Sequence, residues 1–431
     1  MAHILEVYLH DRLVGTLTNL ASDHTIFEFA ERYVSDPQAP VLSLSFYNAE
    51  RKLMHPVKTP QVRVLPFFAN LLPEGHLRQY LAVRARVNAA RDFPLLWLTG
   101  HDLPGAVVVR HPDGINTPPG DPDVVAPDVE ADPRVLKFSL AGVQLKFSAI
   151  RESGGGLTIP VHGLGGNWIL KMPSATYGNV PENEYAMLSF ARDVGIEVPE
   201  IHLIDTAIVG NLPPEVRSDL GRALCIKRFD REGSRRVHIE DFNQIFNQYP
   251  AQKYKNVSYG NILTGIWRVI GEEAAREFLR RLIFTIAIGN GDMHLKNWSV
   301  IYPDGQTPIL APAYDYVSTI AYVPNDKLAL TIARSREWSD VSFDHLERFA
   351  RKAGVPRGVV LDEARTMSER IREAWPRFKR TSELSAREIQ VIDDHLARVP
   401  IFTGASATAT GSITAHEHVP ALDEAQPVEI S

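Results

Sequence analysis

An amphipathic helix that runs without a spacer into a dense polar loop constrains this chain more than any other feature. From Glu272 to Ile288, residues Ala275, Phe278, Leu279, Leu282, Ile283 and Ile286 recur at intervals of three and four, which marks one buried helix face. Gly289-Asn290-Gly291 follows, a run suited to positive φ and a sharp turn. Asp292, His294, Lys296 and Asn297 come directly after it. Trp298–Tyr302 then alternates as a strand, Pro303-Asp304-Gly305 turns, Thr307–Leu310 returns, and Asp315 lies just beyond.

That order suits phosphoryl transfer. The reaction needs a carboxylate that orients or deprotonates the attacking hydroxyl, and oxygen ligands that hold Mg²⁺ against nucleotide phosphates. An Asp followed five residues later by an Asn places the base and one metal ligand on a single loop, and the hairpin brings in a second Asp. Protein kinases use the same Asp-x-x-x-x-Asn spacing. Lys296 can offset charge on the transferred group. In the blander reading Asp292 and Asn297 merely cap backbone groups at a helix end. Helix, loop, hairpin and second Asp together favour the catalytic one.

Lys171 ends the apolar run Trp168-Ile169-Leu170, where an unpaired lysine is costly to bury. Pro181 suits the first turn of a helix that continues to about Val194 and stops at Gly195. Glu184 shares its apolar face with Met187, Leu188, Ala191 and Val194, which suggests a Lys171–Glu184 pair. In kinases such a pair holds the lysine against the phosphates. A snorkelling lysine and a first-turn glutamate are the ordinary alternative, and these residues alone leave both open.

Two further segments are weaker. Phe138-Ser139-Leu140-Ala141-Gly142-Val143-Gln144-Leu145-Lys146 sets small residues between apolar pieces, a turn that can bring backbone N–H groups to phosphates, although an ordinary hairpin is the better reading of this segment alone. Leu224-Cys225-Ile226-Lys227-Arg228-Phe229-Asp230-Arg231 is a buried strand that becomes charged. It suits a hinge between two lobes, although taken without its neighbours a solvated strand end is the better reading.

Composition narrows the class. The chain has 431 residues, 44% hydrophobic and 23% charged, which is the balance of a soluble globular protein. Lys plus Arg total 46 against 52 acids, so a net charge of −6 argues against a broadly basic nucleic-acid binder. A single cysteine, Cys225, rules out a disulfide framework and a Cys-based zinc site, and its apolar neighbours mark it as core. Met1–His10 alternates apolar and polar residues rather than reading as a signal peptide, and no apolar stretch is long enough for a membrane span. The expected location is the cytoplasm.

The expected fold class is α+β, in two lobes with a small N-terminal α+β subdomain and a mainly helical C-terminal lobe. Ile4–Leu17 reads as a β-hairpin, Pro66–Arg84 as a helix and Ala106–Arg110 as a closing strand, which places the first unit at 1–110. Residues 111–134 are a Pro-rich linker or loop, 135–232 a smaller strand-rich lobe, 233–402 the helical lobe and 403–431 a disordered tail.

In this order the pieces resemble the HipA family of serine/threonine kinases, the toxins of HipBA-type toxin–antitoxin modules. The resemblance covers the chain to about residue 400 and includes Pro66-Phe67-Phe68-Ala69-Asn70-Leu71-Leu72-Pro73-Glu74-Gly75. It also covers Phe138–Phe147, Ile169–Pro173, Glu182–Tyr185, Lys227–Arg231, Gly291–Ser299 and Tyr314-Asp315. The resemblance implies ATP and Mg²⁺ as cofactors, Asp292 as catalytic base assisted by Lys296, and Asn297 and Asp315 as metal ligands. It implies a nucleotide site of Lys171, Glu184, Ala141, Gly142, Val143, Gln144, Lys227, Phe229, Asp230 and His294. Ser139 becomes the expected autophosphorylation site. The implied partners are a small HipB-like helix-turn-helix antitoxin, operator DNA through that antitoxin, and a protein substrate of translation such as an aminoacyl-tRNA synthetase.

Two other readings compete. A small-molecule kinase of the aminoglycoside or choline type also uses an Asp-x-His-x-x-Asn loop, but the N-terminal unit and the Ser139 segment argue against it. A catalytically idle co-repressor would not need Asp292, Asn297, Asp315 and Lys171 intact.

Overall fold

The computed structural model describes residues 2–48, 50–54, 59–120, 146–151, 157–158, 166–174, 176–212 and 221–403. Ser139, the Ala141–Gln144 turn, residues 121–134 of the Pro-rich segment and the tail from 404 lie outside the described residues.

The N-terminal unit is an antiparallel sheet in the order β3-β2-β1-β4. Its strands are β1 (His3–Leu9), β2 (Arg12–Asn19), β3 (Thr25–Phe29) and β4 (Val107–Arg110). Leu5, Val7 and Leu9 are buried as the two-residue period requires, and Leu5 faces Leu17 across the hairpin. His10, at φ 53°, makes the turn. The helix expected over Pro66–Arg84 is broken into Pro66–Ala69 and Gly75–Ala85. Pro73 supplies no N–H to continue the first piece, and Gly75 adopts φ +52° before the second. The break sends Glu74 sideways out of the unit.

The middle lobe carries a sheet in the order β8-β10-β7-β5-β6-β9. These are β5 (Lys146–Arg151), β6 (Leu157–Thr158), β7 (Trp168–Lys171), β8 (Ile201–Asp205), β9 (Val209–Gly210) and β10 (Arg222–Lys227). Because β7 is central, Lys171 sits opposite Leu224 on one side and Lys146 on the other. The Val180–Asp193 helix packs on this sheet and buries Met187, Leu188, Phe190 and Ala191, with Glu184 on the same face.

Helices dominate the remainder. Glu272–Ala287 begins with two acids in its first turn, where the helix dipole favours negative charge. It packs against Arg357–Phe378 and Tyr259–Val269. Phe278, Leu282, Ile283 and Phe284 are almost wholly buried. At about 1.5–3 kcal/mol for each such side chain, this face is what keeps the helix in place. Phe278→Ala alone should cost about 3–5 kcal/mol. After the polar loop, β14 (Ser299–Tyr302) pairs with β13 (His238–Asp241) and with β15 (Ile309–Leu310). The returning strand is therefore shorter than the Thr307–Leu310 expected from its pattern. Between β10 and β13 runs a small hairpin, β11 (Arg231–Glu232) with β12 (Arg235–Arg236). Among the described residues no helix is long and apolar enough to cross a membrane.

Candidate active site

The buried helix delivers its C-terminus to the site. Asn290 N donates to Thr285 O at 3.0 Å, closing the last turn, and Gly289 stands at φ +61° with Ile320 where a Cβ would go. Gly291 N donates to Thr319 Oγ1 at 2.7 Å, and a Cβ on Gly291 would lie 2.3 Å from the Asp326 carboxylate. Two glycines are needed here because the loop passes against side chains that themselves brace it.

Asp292 follows, 6% exposed, its backbone N–H donating to Asn290 Oδ1 at 3.0 Å. Tyr254 Oη donates to Asp292 Oδ1. Asn297 Nδ2 donates to the Asp292 carbonyl at 2.9 Å, so the two ends of the Asp-x-x-x-x-Asn run close on each other. This bond engages the amide nitrogen of Asn297 and not its oxygen. His294 lies between them, with its ring edge-on to Tyr254 at 4.9 Å. Burial, with Lys253 next, pushes the His294 imidazole far below its ordinary range, so it is neutral at pH 7. Its Nδ1 has no hydrogen-bond partner among the described residues.

Across from this loop, Lys171 is buried at 2% exposure. Its Nζ lies 2.5 Å from Glu184 Oε1 and also donates to Asp315 Oδ1. Burial disfavours the ammonium, but Asp315 and Glu184 more than compensate and hold Lys171 charged. For Asp315 burial works upward, and Lys146 with Lys171 outweighs it, so the carboxyl is held far below its usual range. Glu184 is pushed up by burial, against the pull of Lys171. Desolvating such a cluster is a poor way to gain stability, which is a reason to read it as a working site. Asp315 is itself at φ 54°, and its carbonyl accepts from Asn290 Nδ2 at 3.1 Å. The two halves of the site therefore touch directly.

The fold thus brings Asp292, His294, Asn297, Lys171, Glu184 and Asp315 together. Phe229 joins them at the edge, its ring 5.8 Å from that of Tyr314. Other expected residues point elsewhere. Lys227 is exposed and its Nζ meets Glu200 at 3.5 Å. Asp230 is buried in the seam with the N-terminal unit, accepting from Gly105 N at 2.8 Å and from Arg228 and Arg231. Lys296 Nζ is engaged by Glu74 and the Asn70 carbonyl. Ser139 and Ala141–Gln144 fall outside the described residues, immediately before Lys146 in sequence.

Sequence reasoning missed Lys146, whose electrostatic neighbours are Asp315, Lys171, Glu184 and Asp292. Its register beside Lys171 was the available signal, once both strands were known. Tyr254, Thr319 and Asp326 carried no local signal, and Glu74 lay in the Pro66–Gly75 segment without a role assigned to it.

The unpartnered Glu184 Oε2 and His294 Nδ1, both buried, fit a polar ligand between the lobes. One carboxylate and one amide oxygen, from Asp315 and Asn297, fit the small protein share of ligands that Mg²⁺ takes when phosphates supply the rest.

Two lobes, a buried lysine joined to a helix acid and a loop aspartate, and an Asp–Asn loop opposite them define a kinase-like protein. The HipA-like C-terminal domain model matches residues 138–375 and the HipA N-terminal domain model residues 5–110. The chain belongs to the HipA family. It is 47% identical over 406 residues to the candidate kinase Y4dM of Sinorhizobium fredii, covering 93% of this chain and 98% of that one. It is 25% identical over 415 residues to the serine/threonine-protein kinase toxin HipA of Shewanella oneidensis, covering 86% and 88%. The fold matches HipA in the solved Shewanella oneidensis complex of HipA, HipB and operator DNA. There the TM-score is 0.69 at 21% identity, over 93% of this chain and 96% of that one.

Proposed function

We propose that this chain is an ATP- and Mg²⁺-dependent serine/threonine protein kinase that acts as the toxin of a toxin–antitoxin module. The observation that carries the reading is Lys171, buried and bonded to both Glu184 and Asp315, opposite a loop that presents Asp292 and Asn297. Lys171 binds nucleotide phosphates, and Glu184 keeps it extended towards them. Asp292 orients the acceptor hydroxyl and takes its proton as the new P–O bond forms and the bond from the γ-phosphorus to the bridging oxygen breaks, releasing ADP. Asn297 and Asp315 would hold Mg²⁺, which neutralises phosphate charge when bound. Neutral His294 offers Nδ1 on the same side. The small-residue turn before Lys146 would cover the phosphates, and Ser139 within it is the site of self-phosphorylation.

The substrate in this reading is a component of translation, such as an aminoacyl-tRNA synthetase, whose modification arrests growth. The partner is a HipB-like helix-turn-helix antitoxin, through which operator DNA is reached, as the solved Shewanella oneidensis complex suggests by its composition. A net charge of −6 suits indirect rather than direct DNA contact. The whole cycle would run in the cytoplasm.

The test is transfer of labelled phosphate from ATP. The wild-type chain is expected to transfer, with phosphate found on Ser139 by mass spectrometry. Asp292→Asn is expected to abolish transfer while leaving thermal unfolding unchanged. Undiminished transfer by Asp292→Asn would remove Asp292 as the base.

A further inference from the structure

The residue that grips Lys296 comes from outside the two lobes. Glu74 stands at the end of the break between the Pro66–Ala69 and Gly75–Ala85 helices, and its side chain does not cap the second of them. It turns instead to the catalytic loop. One carboxylate oxygen bonds Lys296 Nζ and the other lies 3.4 Å from Lys253 Nζ. Burial works to raise the Glu74 carboxyl, but Lys296 and Lys253 outweigh it and bring it down to about 2.

The contact is embedded in a wider brace. Lys296 Nζ also donates to Asn70 O at 3.3 Å, and Leu295 N donates to Lys253 O at 3.2 Å. Asn70 is fixed in turn, donating to Gln248 O and accepting from Asn243 Nδ2, both at 2.8 Å. Tyr254, next to Lys253, is the residue whose hydroxyl meets Asp292. The N-terminal unit, the 248–254 segment and the catalytic loop therefore meet at one carboxylate. Side-chain exposure of Glu74 is 32%, and an ion pair that open to water adds little stability. Its placement on the loop that carries the base has more consequence than its strength.

We propose that Glu74 is a positioning residue of the phosphotransfer site. It holds Lys296, and through Lys253 the Tyr254 segment, so that the loop carrying Asp292 keeps its working shape. The N-terminal unit is on this view part of the catalytic apparatus. The proposal rests on the kinase reading above.

The experiment compares Glu74→Gln, Glu74→Asp, Lys296→Gln and the Glu74→Gln/Lys296→Gln double variant in the full chain. Release of ADP from ATP and binding of ATP are measured for each. Glu74→Gln should lower kcat by about 10- to 100-fold, as small displacements of reacting groups do, with KM for ATP nearly unchanged. Glu74→Asp, which keeps the charge, should recover part of the loss. The double variant should lose less than the product of the two single losses, because part of the effect of Glu74 runs through Lys296 and the rest through Lys253. Unchanged kcat in Glu74→Gln, a loss confined to KM, or multiplicative effects in the double variant would each overturn the role given to Glu74. If Glu74→Gln also lowers the unfolding temperature, Glu74→Asp and the Lys296→Gln background carry the comparison. A wild-type chain that binds ATP but releases no ADP would defeat the kinase reading itself, and this proposal with it.

Discussion

The side-chain amide of Asn297 donates to the main-chain carbonyl of Asp292 at 2.9 Å, closing the loop between the proposed base and the proposed metal ligand. One side chain would thus have two duties. Its nitrogen sets the loop, and in the proposed function its oxygen would hold Mg²⁺. Asn297→Ala removes both, and should lower phosphate transfer by about 100-fold or more, as loss of a preorganised polar group does. Initial rates against Mg²⁺ concentration check this. The half-saturating Mg²⁺ should rise, and a wild-type Mg²⁺ curve would count against Asn297 as a ligand.

Lys171→Met should abolish measurable transfer and weaken ATP binding. It also leaves Glu184 and Asp315 buried without their shared cation, and breaking a buried pair this way costs about 3–5 kcal/mol. Glu184→Gln keeps a hydrogen-bond partner for Lys171 and should lose less on both counts. Equal activity in Lys171→Met and wild type, measured at saturating ATP, would sink the assignment.

Gly291→Ala tests the loop from behind. A methyl group there would lie 2.3 Å from the Asp326 carboxylate, which accepts from Thr319, the residue that bonds Gly291 N. Overpacking of this kind costs about 1–3 kcal/mol. Urea unfolding should show it, and Asp326→Ala in the same chain should restore part of the loss. No rescue would mean that the strain lies elsewhere.

Glu240 provides a pH dependence. Wholly buried, it accepts from Ser43 Oγ at 2.7 Å, from Leu44 N at 3.0 Å and from Tyr302 Oη. Burial pushes its carboxyl from the ordinary 4.5 up to about 7. The folded chain therefore holds this proton more tightly than the unfolded chain does. The stability it contributes is fully present below pH 4.5 and is lost as pH rises through about 7, amounting to about 3 kcal/mol. Neighbouring Asp241, also raised to about 7 by burial, adds to the same trend, and buried His238, lowered to about 4 by burial, acts in the opposite sense between pH 4 and 6.5, so the whole-protein curve mixes all three. Comparing wild type with Glu240→Gln by urea unfolding isolates the first. The variant should gain relative to wild type by that amount from pH 4.5 to 7, and a constant difference would refute it.

Much of the site was legible because its signals are local. The three-and-four spacing from Ala275 to Ile286 marks a buried helix, and the residues after Gly291 follow from where it stops. Asp292 and Asn297 share one loop, so their spacing alone relates them. Lys171 and Glu184 were legible for another reason. A charge on an apolar strand end and one on an apolar helix face are each expensive, and pairing them relieves both.

The amino-acid sequence by itself determined the buried helix and the polar loop after it, through periodicity and short spacing. It suggested the pairing of Lys171 with Glu184 without deciding it, and pointed to the family through the resemblance of its motifs. Only the tertiary structure decided which way the charged side chains turn. Asp230 bonds Gly105, 125 residues away, and Lys296 bonds Glu74, 222 residues away. Lys227 and Asp230 stand three residues apart at the end of one strand, yet one meets Glu200 at the surface and the other fills the seam with the N-terminal unit. Which partner such a group finds is settled when separate core clusters pack together, and no local pattern encodes that choice.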